Sequence, residues 1–139
     1  MVSTALAAML CCATVAHAQS WIGAQTTIGQ VALDYERNPT LADEKYRNVE
    51  LVIADAALLA APGHFPSGRT FLPVMGLGTS EPPVRAIVPS GEIPAGLGKG
   101  SEVSMTCTAQ GYYSPAGQAV PSPKDGLLVL ACGNVRVLR

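Results

Sequence analysis

The chain is short of charge, of aromatic rings and of histidine, and each shortage removes a class of function. Only 14% of its 139 residues are charged and the formal net charge is −1. The nine basic residues stand singly at Arg37, Lys45, Arg47, Arg69, Arg85, Lys99, Lys124, Arg136 and Arg139. A nucleic-acid interface needs clustered Lys and Arg to neutralise phosphates, so none is expected. Two histidines, His17 and His64, leave a zinc site without ligands. No apolar run reaches the roughly 20 residues that a membrane-spanning helix needs.

What is present begins with residues 4–18, an uncharged apolar run ending in Ala16-His17-Ala18. Small residues at the first and third positions before a cut are what a signal peptidase accepts. The run therefore reads as a cleavable signal peptide over 1–18, although no Lys or Arg precedes it. The mature chain starts at Gln19 and is exported, periplasmic or secreted. Cys11 and Cys12 leave with the leader. About 121 residues remain, enough for one domain, expected to be a monomer without a membrane span.

Two mature cysteines remain, Cys107 and Cys132. In an oxidising compartment an even pair reads as a disulfide. Residues 101–109 alternate cleanly, with Val103, Met105, Cys107 and Ala109 on one face, and 126–138 form the last apolar strand. If these strands make a hairpin that turns near residues 119–120, the two cysteines lie directly opposite each other. The Cα atoms of such a pair are roughly 4.5–5.5 Å apart, which a disulfide can bridge.

Upstream, residues 26–47 read as helical. Thr26 or Thr27 can cap the start. Ile28, Val31, Ala32 and Tyr35 fall on one apolar face. Asn38-Pro39 should kink the helix, because Pro39 disfavours the helical region for Asn38. Thr40, with Asp43 three residues on, suits the start of a second piece through Tyr46. Tyr35 and Tyr46 should pack beneath the helix, and the carboxylate pairs Asp34/Glu36 and Asp43/Glu44 should mark a solvated face. Strands are expected at 49–59, broken at Asp55, and at 69–75 and 84–88. Pro73 puts the second of these at an edge or bulge. A helical turn fits 93–97, and 62–68 and 111–125 read as loops. One helix and five strands, the last two neighbours, suggest a small closed barrel.

Residues 33–47, LDYERNPTLADEKYR, resemble the opening of the tRNA-anti-like branch of OB-fold proteins: a Tyr, an Asn three on, Ala-Asp, then a Tyr running into the first strand. Leu97-Gly98-Lys99-Gly100-Ser101-Glu102-Val103 looks like the family's entry to strand four. Cys107, Gly111 and Cys132 fall where the family often has Cys, Gly and Cys. Ala54-Asp55 departs from it, where a Gly is expected. The resemblance implies a mainly β chain with an N-terminal helix, in which a single OB-fold domain spans 19–139, with a helical lead-in at 26–47 and a five-stranded barrel at 49–138. Proteins of this family are mostly small exported bacterial proteins, so the resemblance implies a fold more than an activity.

No catalytic residue and no cofactor or metal is expected. His64 lies in a turn-like loop without a nucleophile motif, and the neighbouring carboxylates on the helix point to different sides. Residues 96–101 mimic part of a phosphate loop but lack its spacing. OB-folds bind on the strand 2–3 face and between the first and fourth inter-strand loops. Carried onto this chain, that surface bears His64, Phe65, Arg69, Phe71, Arg85, Tyr112 and Tyr113, with only one of the two adjacent tyrosines able to enter the core. The expected function is a binding module for a protein partner, an oligosaccharide or a small anion. The alternatives are a structural or inhibitory envelope protein acting through a partner, single-stranded nucleic-acid binding by fold analogy, and, last, an enzyme.

Overall fold

The protein's computed structural model describes residues 24–76 and 83–139. The expected leader and its cleavage before Gln19 lie outside the described residues. The chain is mainly β. Strand β1 (Ala24–Thr26) precedes helices α1 (Ile28–Arg37) and α2 (Pro39–Tyr46). Then come β2 (Leu51–Leu58), the two-residue β3 (Gly63–His64), β4 (Thr70–Gly76), β5 (Val84–Ile87), β6 (Glu102–Tyr113), the two-residue β7 (Ala119–Val120) and β8 (Leu127–Val137). β1, β3 and β7 were not expected, being too short to show a period.

Five of the strands close on themselves. β2 pairs antiparallel with β4, and β4 with β5. β5 pairs parallel with β8, β8 antiparallel with β6, and β6 antiparallel with β2. The result is a ring-like sheet whose inward residues form one core, including Leu51, Ile53, Leu72, Val74, Val84, Val103, Met105, Leu128 and Leu130. Ile28, Val31, Ala32 and Tyr35 of α1 join this core, as the apolar spacing requires.

Cys107 stands opposite Cys132 and is bonded to it. The two Cα atoms are 4.0 Å apart, closer than a regular opposed pair. The inward set Val103, Met105, Cys107 and Ala109 is as the alternation predicts. Strict alternation would next bring Tyr113 inward. A bulge between Ala109 and Gly111, where Gly111 adopts φ 93°, shifts the phase by one residue. Tyr112 therefore turns in, and β6 runs on through Tyr113 where a loop was expected from 111.

Other boundaries moved for local reasons. The second helix starts one residue earlier than expected. Pro39 occupies its first turn, where a missing N–H costs nothing. The Asn38 side chain accepts from the Leu41 N–H, so Asn38 and not Thr40 is the cap. Thr27 caps α1 by accepting from the Gln30 N–H. The helical turn expected at 93–97 is a 3-10 turn at Ser90–Glu92 instead. Pro94 keeps Ile93 extended, so the turn must end before it.

Pro73 sits inside the ring, with β5 on one side opposite Arg85. On its other side the β2 ladder has already ended, at Leu58 opposite Val74. Its carbonyl still accepts from the Leu59 N–H, and its missing donor interrupts no regular ladder pair. Asp55 lies at a second bulge, between Ile53 and Ala56 of β2. From there its carboxylate accepts from the Ile28 N–H at 3.0 Å, fastening the start of α1 to the ring. A negative group near the positive end of a helix is favourable in its own right.

Candidate functional site

The outer face of β4 and β5 carries an arginine packed over a pair of phenylalanines. Thr70, Leu72 and Val74 of β4 face inward, so Phe71 faces out. Arg85 faces out from β5 between inward Val84 and Ala86. Phe65, in the turn that follows β3, folds back over this face. Its ring lies 4.8 Å from that of Phe71, centroid to centroid. The Arg85 guanidinium carbon sits 4.8 Å from the centre of the Phe71 ring and 5.4 Å from that of Phe65. Both are cation–π distances. Arg85 has no carboxylate partner among the described residues.

Glycines let the chain close over this stack. A Cβ built on Gly63 would lie 2.8 Å from the tip of the Phe71 ring, a separation that real side chains do not adopt. Gly117, in the loop between β6 and β8, packs with its α-carbon against Phe65, where a Cβ would stand 3.5 Å from the ring. The loops after β2 and after β6 thus meet here. Val129 of β8 pairs with Arg85, faces the same side and is fully buried outside the main core. Phe65 is only 5% exposed. The chain's own loops therefore fill much of the face that the sequence offered to a ligand.

What stays open lies beside the stack. Arg69 is exposed at the start of β4, and His64 is exposed with its Nδ1 3.2 Å from the hydroxyl of buried Thr70. A groove of about 390 Å³ runs along the outer face, lined by Arg69, Thr70, Ile87, Pro89 and Ala131 among others. Ile87 is two residues beyond Arg85 on the same face of β5. Arg69 also lacks an acidic partner among the described residues. No group of three or more metal-ligating side chains occurs among the described residues.

The two tyrosines part company. Tyr113 is half-buried in the β6–β7 pairing. Tyr112 is buried beneath α1, edge-on to Tyr35 with 6.0 Å between ring centres. The structure thus brings Phe65, Phe71 and Arg85 together, leaves Arg69 and His64 at their border, and puts Tyr112 elsewhere.

The helix carboxylates do not form a plain solvated face. The Tyr35 hydroxyl of α1 donates to Asp43 of α2 at 2.7 Å, and the Tyr46 hydroxyl of α2 donates back to Asp34 of α1 at 2.5 Å. Burial, reinforced by these acceptors, raises both phenols, Tyr35 well above its ordinary range. Burial acts to raise the Asp34 carboxyl as well. Hydrogen bonds from Tyr46, Lys45 and Gln30 outweigh it and hold the carboxyl below its usual value. This clasp could have been suspected from one signal, a Tyr and an Asp on each helical piece in a chain poor in both aromatics and charge. The covering role of Gly117 and the outward burial of Val129 left no trace in the sequence pattern.

No protein-family model matches the chain, and neither a curated protein nor a solved structure matches it significantly.

Proposed function

We propose that this protein is an exported OB-fold binding domain whose outer β4–β5 face receives a carboxylate-bearing ligand. The order in which its strands pair supports the barrel. β2, β4, β5, β8 and β6 correspond to OB strands one, two, three, five and four, closed back onto strand one. The internal disulfide fits an oxidising compartment. No helix among the described residues is long and apolar enough to cross a membrane.

The single observation behind the ligand reading is Arg85. Its guanidinium lies over two touching rings and has no acidic partner among the described residues. Contact with the rings restrains the side chain and leaves N–H groups for an oxyanion, which a guanidinium can hold in bidentate fashion. Arg69 supplies a second positive charge at the border of the adjoining groove. Net charge near zero does not oppose this, since two local cations suffice for one anionic group.

The test compares an oligoglutamate peptide with a polyuronate oligosaccharide. Each is titrated against wild type, Arg85→Met and Arg69→Gln. Met keeps an apolar stem against the rings and removes the fork. At least one probe should bind in a salt-sensitive way, and Arg85→Met should weaken it by about tenfold or more. The probe that binds identifies the source of the carboxylate. Unchanged binding by both variants, or failure of both probes to bind wild type, overturns the reading.

A further inference from the structure

A second cleft lies on a different part of the molecule, between the C-terminal half of α1 and the base of the loop that joins β6 to β8. Its volume is about 370 Å³, at the lower end of the roughly 300–1,000 Å³ of small-molecule sites. The walls are mainly apolar, from Ala32, Pro123 and Leu128, with Tyr112 among them. Glu36 and Lys124 stand at the rim. Both are exposed and neither has an ion-pair partner among the described residues.

Tyr112 is what makes this cleft more than a surface dip. The residue is only 8% exposed, yet its hydroxyl has no hydrogen-bond partner among the described residues. Tyr35 and Tyr46, somewhat more deeply buried, each have a carboxylate acceptor. Buried hydroxyls are nearly always satisfied, so an orphan in a cleft wall offers a hydrogen-bonding position to a group from outside the described residues. Burial first, and the Glu36 charge second, raise the affinity of the Tyr112 phenol for its proton.

We infer that this cleft binds a small apolar zwitterion, of the class of a free amino acid with an apolar side chain. The ligand's ammonium meets the Glu36 carboxylate and the Tyr112 hydroxyl oxygen. Its carboxylate faces Lys124, and its side chain lies on the proline and leucine walls. A purely apolar ligand would leave Tyr112 orphaned. A simple anion or cation would answer only one of the two rim charges. The site shares no lining residue with the Arg85 stack or the groove beside it.

L-Phenylalanine is the probe, titrated into the isotopically labelled full chain and followed by backbone amide shifts. Saturable shifts are expected at Ala32, Glu36, Tyr112 and Gly126, with Thr70 and Ile87 unmoved. N-Acetylphenylalanine, which lacks the ammonium, should not saturate. Tyr112→Phe keeps the ring against Tyr35 and loses only the hydroxyl, and it should weaken binding about five- to tenfold. Glu36→Gln, on an exposed rim, should weaken it by a similar factor without disturbing the fold. Arg85→Met should bind as wild type does. The inference is overturned by any of three outcomes: no saturable shifts around the cleft, equal binding of the acetylated probe, or unchanged affinity in Tyr112→Phe.

Discussion

The crossed hydrogen bonds between α1 and α2 can be taken apart by a double-mutant cycle on Asp34 and Tyr46. Tyr46 is almost fully buried and its hydroxyl donates to a carboxylate that is mostly covered. A hydrogen bond to a charged group contributes about 1.5–3 kcal/mol. Tyr46→Phe removes the donor, but Asp34 keeps Gln30 and Lys45 as donors, so the loss should fall near the lower end, about 1–1.5 kcal/mol. Asp34→Ala leaves the Tyr46 hydroxyl buried and unpaired and also strips the Gln30 contact. About 2–3 kcal/mol is expected. The double variant should cost less than the sum by about 1 kcal/mol, because the shared bond is counted once. Urea unfolding of all four proteins measures this, provided that the slope with denaturant stays constant. If the two losses add to within about 0.3 kcal/mol, the phenol and the carboxylate do not act as a unit and the clasp is incidental.

Three further outcomes are expected. Cys→Ser at either Cys107 or Cys132 should destabilise by roughly 2–4 kcal/mol in urea unfolding, since the bond closes a loop of 25 residues in the unfolded chain, and a loss below about 1 kcal/mol would show that the hairpin holds without it. Asp55→Ala should cost about 0.5–2 kcal/mol and raise amide exchange in the first turn of α1, because the Ile28 N–H loses its acceptor while Thr27 still caps Gln30; unchanged exchange there would refute the anchor. The raised phenols of Tyr35 and Tyr46 add stability that is fully present below their ordinary value near 10 and is lost as pH climbs through the folded-state values. The depressed Asp34 adds stability present above about 3.8 and lost as pH falls through its folded-state value. Melting temperature should therefore be flat between these limits and fall on both sides, with Tyr46→Phe showing a shallower alkaline limb; identical limbs would refute the assignment.

The ring was legible where residues obey a short period. The inward set of β6 follows from its alternation, and the cysteine register follows from chain positions alone, because a hairpin with one turn leaves little freedom. The helix break at Asn38-Pro39 was legible because proline acts locally. What was not legible depends on phase changes. Three register shifts, at Asp55 in β2, at Gly111 in β6 and in β8 opposite Ser104–Thr106, each add one residue to a strand, and only the pairing partner shows which one. Asp55 looked like a flaw in a strand; its purpose lies 27 residues away at the helix start. Likewise, Phe65 reads as an exposed loop aromatic until Gly117, far along the chain, is seen to cover it. The sequence named Phe65, Phe71 and Arg85 among seven candidates, but gave no sign of their mutual contact.

Ring closure has a consequence for the order in which the chain can become safe from self-association. β5 reaches its second neighbour only through β8, and β6 lacks that same partner until β8 is in place. A nascent chain that has delivered everything up to Tyr113 therefore presents two raw sheet margins at once, both bordered by apolar side chains. Unpaired margins of this kind are templates for joining a neighbouring molecule. β8 follows both strands that it joins, so the two margins stay open until it is made. Oxidation of Cys132 onto Cys107 then makes that strand hard to dislodge.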